Sequence, residues 1–117
     1  MRALKHSPGR HAIIINMAVN SSDEVFGALG SLPRRQMLSF LSQTALSTVE
    51  LAQRFGMSPP AVSRHLAVLQ AAGLVSSERE GQRVLYRLNR DALLGALARF
   101  ADEVDGPLRR APPREAI

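Results

Sequence analysis

A mainly α-helical domain with one small β-hairpin is the fold class this sequence predicts, on three observations. Apolar residues make up 45% of the chain but aromatics only 4%, with no Trp, so the core is aliphatic and suits packed helices better than a β-sandwich. Helix-start and helix-stop residues alternate in order, Ser47 with Glu50 and then Gly56, Ser58 with Pro59 and then Gly73. Only the segment from Leu74 to Leu88 switches to strand-like runs, split by Gly81-Gln82. With 117 residues the chain has room for one domain. We expect that domain at 21–105, behind an N-terminal arm at 1–20 and ahead of a disordered basic tail at 106–117.

In the arm, Pro8 and Gly9 break any early helix, and the apolar patch Ile13, Ile14, Ile15, Met17 and Val19 follows. Either the patch packs against a second copy, or Met17 is the true start and the residues before it are an upstream extension. Ser21 with Glu24 has capping-box spacing and opens a first helix to about Leu29, with Val25, Phe26 and Leu29 on its apolar side. Ser31 caps a second helix near Pro33, where a missing N–H costs least, and Met37, Leu38, Phe40 and Leu41 form its buried side. Ser47 and Glu50 open a short third helix through Val49, Leu51, Ala52 and Phe55, closed by Gly56.

Ser58 caps the next helix, with Pro59 at its first position and Gly73 beyond Ala72. Two helices joined by a short Gly-containing turn have the helix-turn-helix layout. A two-residue turn led by Gly then joins the runs carrying Val75 and Val84, Leu85, Tyr86 and Leu88. A hairpin directly behind the second helix is a wing, so the expected architecture is a winged helix-turn-helix. Asn89 caps a last helix whose stripe Leu93, Leu94, Leu97, Phe100, Ala101 and Val104 repeats at helical spacing. The stripe is broader than one short domain needs and is assigned to core and dimer seam together.

Several function classes are excluded early. The chain has no Cys, which removes disulfides, thiolate metal sites and thiol redox switching. The apolar run from Ala12 to Val19 is interrupted by Asn16 and falls short of the roughly 20 residues of a membrane helix. Its basic flank imitates a secretory leader without a convincing cleavage site, so a cytoplasmic protein without membrane contact is expected. No motif has nucleophile, base or phosphate-loop spacing, so no enzyme activity is expected. No cofactor is expected either.

The formal charge of +5 resides in the tails, because residues 21–105 carry nine basic and nine acidic side chains. Distribution is more telling. Between Glu50 and Glu78 there is no acidic residue, while Arg54, Arg64 and His65 are present, and a surface cleared of carboxylates approaches phosphates without repulsion. Winding the helix after Ser58 at helical period puts Val62, Leu66 and Leu69 on one side and Pro60, Ser63, Arg64, Ala67 and Ala71 on the other. Small side chains let a helix backbone lie deep in a major groove about 12 Å wide. Double-stranded DNA is therefore the expected partner, met by Ser58, Pro59 and Pro60 at the leading end and by Ser63 and Arg64 on the face.

Arg64 has the donors to read guanine or to clamp a phosphate, and the sequence does not choose. His65, at the edge of the buried side, is a phosphate contact or a packing residue. In the wing, Arg79, Gln82 and Arg83 flank the tip, where they meet DNA or pair with Glu78 and Glu80. A winged-helix regulator that holds another protein and binds DNA weakly or not at all is the alternative.

The stretches VFGALGSLPRRQML, from Val25, and STVELAQRFGMSPPAVSRHLAVLQAAGLVSSEREGQRVLYRLN, from Ser47, resemble the ArsR/SmtB family of winged helix-turn-helix repressors. The resemblance covers roughly residues 22–104. It implies a symmetric homodimer joined through the first and last helices, assigning Val25, Phe26, Leu93, Leu97, Phe100 and Val104 to the interface. It also implies a palindromic operator with one Ser58–Ala72 helix per half-site, and repression, often of the protein's own promoter. Many members sense metals, yet the matching positions here hold Ser47 and Val49 in one site and Arg90, Ala92, Glu103 and Gly106 in the other, so no metal is expected. His6 and His11 are a weak cluster. The family commonly has Asp-Pro-Thr where this chain has Ser31-Leu32-Pro33, which leaves Arg34 and Arg35 to contact phosphate or to pair with acids.

Overall fold

The structure, a computed structural model, describes residues 22–110, with side chains as far as position 106. The expected arm, the Ser21 cap and the end of the tail lie outside the described residues. The elements run α1 (22–29), α2 (Leu32–Leu41), β1 (Leu46–Ser47), α3 (Thr48–Phe55), α4 (Pro59–Ala71), β2 (Val75–Glu80), β3 (Arg83–Leu88) and α5 (Arg90–Arg110). The predicted architecture is present: a helix-turn-helix of α3 and α4 followed by a wing of β2 and β3.

Local chemistry sets the boundaries. Ser31 caps α2, its hydroxyl accepting the Arg34 N–H at 3.4 Å. Ser47 and Glu50 form a reciprocal capping box on α3: the Ser47 N–H donates to Glu50 Oε1 at 2.8 Å and the Glu50 N–H to Ser47 Oγ at 3.1 Å. At the far end Gly56 has φ 66° and its N–H reaches the Ala52 carbonyl at 2.9 Å. That left-handed conformation is open to glycine without the Cβ clash other residues pay, and it folds the chain back within three residues into α4. Ser58 caps α4 by accepting the Ala61 N–H at 3.2 Å, with prolines in the first turn where no N–H is needed.

Gly81 turns the wing with φ +64°, and no non-glycine residue described has positive φ, the pattern of a hairpin turn with positive φ only at its first central residue, where glycine adopts it freely. The register pairs Val75 with Leu88 and Glu80 with Arg83.

Two points depart from expectation. A third strand, β1, pairs antiparallel with β3, Leu46 against Tyr86 and Ser47 against Leu85, giving the order β1-β3-β2. Asn89 sends its side-chain amide to the Gly73 carbonyl at 3.0 Å, and its N–H reaches the Leu74 carbonyl at 2.8 Å, so it ties the start of α5 to the end of α4. Helix α5 breaks at Gly106, whose φ 73° and ψ 161° are non-helical.

The core lies where α2, α3 and α4 meet the sheet. Met37, Leu51, Val62, Leu66, Leu69 and Leu74 are its fully enclosed side chains. Aliphatic burial of this kind is worth roughly 1.5–3 kcal/mol per side chain and fixes α4 with Val62, Leu66 and Leu69 inward. The opposite face is thereby committed to solvent.

Candidate nucleic-acid interface

The outer face of α4 carries the side chains the sequence placed there. Ser58, Pro59, Pro60, Ser63, Arg64, Ala67 and Ala71 are all exposed, whereas His65 is half-buried. The first turn contains no acidic residue, so the positive end of the helix dipole is unopposed. Arg64 makes no hydrogen bond or ion pair with the described residues. Its guanidinium stands free on a face of small side chains.

His65 has a structural contact. Arg34 Nη1 lies 3.4 Å from His65 Nδ1, and because a guanidinium only donates, Nδ1 accepts and the ring proton belongs on Nε2. Burial, followed by the positive fields of Arg34 and Arg64, holds the imidazole below its ordinary value of 6.5. The ring is therefore neutral at physiological pH and bridges α4 to α2.

Arg34 and Arg35 do something the sequence did not suggest. Arg34 donates to the carbonyls of Ala28 at 2.8 Å and Gly27 at 3.3 Å, and Arg35 to that of Leu29 at 2.6 Å. These are the last carbonyls of α1, which have no partner within their own helix. Both arginines thus cap α1 instead of pairing with acids, and they place positive charge at its negative end.

The wing is anchored at two points. Gln70 on α4 donates to Ser77 Oγ on β2 at 3.2 Å. Arg83 pairs with Glu50 at 3.2 Å, while Glu78 pairs with Arg87 at 3.0 Å. The ion pairs differ from those expected within the tip, and β1 is the reason: pairing Ser47 with Leu85 brings the first turn of α3 beside the start of β3. The Ser47 N–H, with help from Arg83 and against partial desolvation, keeps the Glu50 carboxyl below its ordinary 4.5. A cleft of about 400 Å³ between the two elements is lined by Thr48, Gln53, Gln82 and Arg83, among others. Thr48 and Gln53 are polar groups at the wing that sequence reasoning missed, and only the β1–β3 register brings them there. Gln82 and Arg79 are exposed at the tip, and neither side chain is held by a hydrogen bond or ion pair to the described residues.

Of the expected interface residues, Val25 is buried in its own core at 5% exposure and Leu93 packs partly against it. Phe26, Leu97, Phe100 and Val104 remain open, Val104 at 68%. Phe26 and Phe100 meet edge to face at 5.3 Å, which joins α1 and α5 into one apolar surface. Among the described residues no three His, Asp or Glu side chains are grouped to hold a metal ion, and no helix is long and apolar enough to cross a membrane.

Residues 33–77 match the family model described as bacterial regulatory protein, arsR family. The chain is 41% identical over 68 residues to the HTH-type transcriptional regulator KmtR of Mycobacterium tuberculosis, spanning 58% of this chain and 52% of that protein. It is 34% identical over 71 residues to the transcriptional repressor SdpR of Bacillus subtilis, spanning 61% of this chain and 79% of that one. The chain thus matches about half the length of one relative and most of the other. Among solved structures, the homodimeric winged helix-turn-helix DNA-binding domain of a possible ArsR-family regulator from Mycobacterium bovis aligns with a TM-score of 0.63 at 25% identity, over 87% of this chain and 91% of that domain. The architecture, the family match across α2 to β2 and the identity to a relative covered over most of its length agree: the chain belongs to the arsR family of bacterial transcriptional regulators.

Proposed function

We propose that this protein is a sequence-specific DNA-binding transcriptional repressor that works as a homodimer on a palindromic operator. The observation that carries it is the outer face of α4, where Arg64 stands unpaired among small exposed side chains, with Ser58 and two prolines at the leading end. Such a face fits a major groove, with Arg64 as the side chain able to reach a guanine edge or a phosphate. Ser63 supplies a short donor beside it, and Arg79 and Gln82 at the wing tip flank the duplex.

The dimer rests on the open surface of α5 and α1. Leu97, Phe100 and Val104 with Phe26 form a contiguous apolar patch of the kind that marks an interaction site. The M. bovis neighbour is described as a homodimer. Repression follows SdpR, the relative covered over most of its length. A cytoplasmic location belongs to the same reading, because that is where its DNA partner would be met, and no catalytic role is proposed.

The test is selection of fragments bound by the full chain from its source genome, followed by titration of the enriched fragment against a scrambled one at several salt concentrations. Phosphate-anchored binding weakens linearly in log–log form as salt rises, with a slope set by the number of phosphates neutralised. Enrichment with a steep slope is expected. No enrichment, or affinity indifferent to salt, would leave the fold as a protein-holding module.

A further inference from the structure

A cavity of about 420 Å³ opens between α2, the end of β3 and the first turns of α5. Its size lies in the range of small-molecule sites, roughly 300–1,000 Å³. The walls are largely aliphatic, with Leu38, Leu88, Leu94 and Leu97 among them, and among the described residues the only charged side chains lining it are Arg35 and Arg90. No carboxylate of the described residues lines the cavity.

Both arginines are held in place. Arg35 donates one N–H to the Leu29 carbonyl at 2.6 Å, and Arg90 donates one to the Ser42 carbonyl at 2.9 Å. A guanidinium has five N–H donors, so each arginine is oriented by one bond and keeps others for an anion. A cavity that is apolar along its walls and cationic at its rim complements a molecule with an apolar body and a negative head.

We infer that this cavity is a ligand site for a free medium-chain carboxylate, the alkyl chain lying along the leucines and the carboxylate bound by Arg35 and Arg90. Occupancy has a route to α4: Leu88 lines the cavity, and the next residue, Asn89, is bonded to Gly73 and Leu74 at the end of α4. A chain wedged against Leu88 shifts that tie and with it the face of α4. This coupling, unlike the site itself, rests on the DNA-binding function proposed above.

Decanoate is the probe, titrated into the full chain without DNA and followed by calorimetry and amide NMR, with decan-1-ol and decylamine as controls of equal chain length. Saturable binding of one decanoate per protomer is expected, at protein concentrations where the chain is dimeric, with shifts centred on Ser42, Leu88 and Leu94. The alcohol and the amine should bind at least about tenfold more weakly. Replacing both arginines, Arg35→Gln with Arg90→Gln, should bring decanoate down to the level of the alcohol. Should that pair unfold, Leu94→Trp, at a position already 53% exposed, fills the cavity and should abolish binding in a folded protein.

Equal affinity for acid and alcohol in the wild type, binding untouched by Leu94→Trp, or binding seen only when the protein is diluted to monomer would overturn the site. The last result would show that a second copy occupies the cavity. In a separate titration, decanoate should change affinity for the selected fragment by about fivefold or more; saturable binding without that change overturns the coupling alone. Failure of the ligand-free protein to select any fragment counts against the DNA-binding function and leaves the ligand titration standing.

Discussion

Arg83 Nη1 lies 3.2 Å from Glu50 Oε2, and the other oxygen of the same carboxylate accepts the Ser47 N–H at 2.8 Å. One side chain therefore caps α3 and tethers the wing. Glutamine at this position keeps the capping geometry but no longer holds Arg83 by charge. Glu50→Gln should therefore tighten DNA binding and steepen the dependence of log K on log salt by about one unit, as one more phosphate is neutralised. Anisotropy titrations across salt concentrations measure both. An unchanged slope means that Arg83 reaches no phosphate.

Arg64→Ala removes the unpaired guanidinium from the exposed face of α4. If Arg64 reads a base, affinity for the specific fragment falls by about 1–3 kcal/mol while random DNA is held nearly as before. If it clamps a phosphate, both affinities fall together and the salt slope drops by about one unit. Competition titrations with specific and scrambled duplexes separate the two outcomes, and no effect on either would remove Arg64 from the interface.

Leu97→Glu puts a charge into the apolar surface of α5 at a position 41% exposed in one protomer. The protomer itself should fold normally, whereas a buried unpaired carboxylate is incompatible with a packed seam. Sedimentation equilibrium should report a monomer with unchanged helical circular dichroism. A dimer of wild-type affinity would mean that the seam lies elsewhere.

His65 makes stability depend on pH with a definite sign. Its folded-state value lies below 6.5, chiefly because the ring is partly buried and next because Arg34 and Arg64 are near. As pH falls, the unfolded chain takes up the proton first, so stability declines just below the ordinary imidazole value and levels off once the folded-state value is passed. Gln at this position has an amide oxygen able to accept from Arg34 but does not titrate. Between about pH 7 and pH 5 the urea midpoint of the wild type should fall further than that of His65→Gln; parallel curves would show that the ring titrates as it does in the unfolded chain.

Much of this molecule is legible in its sequence because its boundaries are set by local chemistry. Ser47 with Glu50, Gly56, Ser58 with Pro59, and Gly81 each act within a few residues, and each occupies its expected place. The orientation of α4 was legible for a similar reason, since Val62, Leu66 and Leu69 repeat at helical period and are enclosed. What escaped prediction is non-local. A strand of two residues, Leu46 and Ser47, has no periodicity to detect, yet its pairing with β3 decides that Arg83 meets Glu50 and not Glu78 or Glu80. Arg34 and Arg35 resemble surface charges in a linear sequence, and only the crossing of α1 and α2 aims them at the carbonyls of Gly27, Ala28 and Leu29.

Guanine methylation interference on the selected fragment, with the full chain bound, tests most directly whether two α4 faces enter one duplex. Two symmetric clusters of interfering guanines, separated by about one helical turn of 10–10.5 base pairs or a multiple of it, are the predicted result. A single cluster, or interference spread evenly along the fragment, would contradict a paired recognition surface.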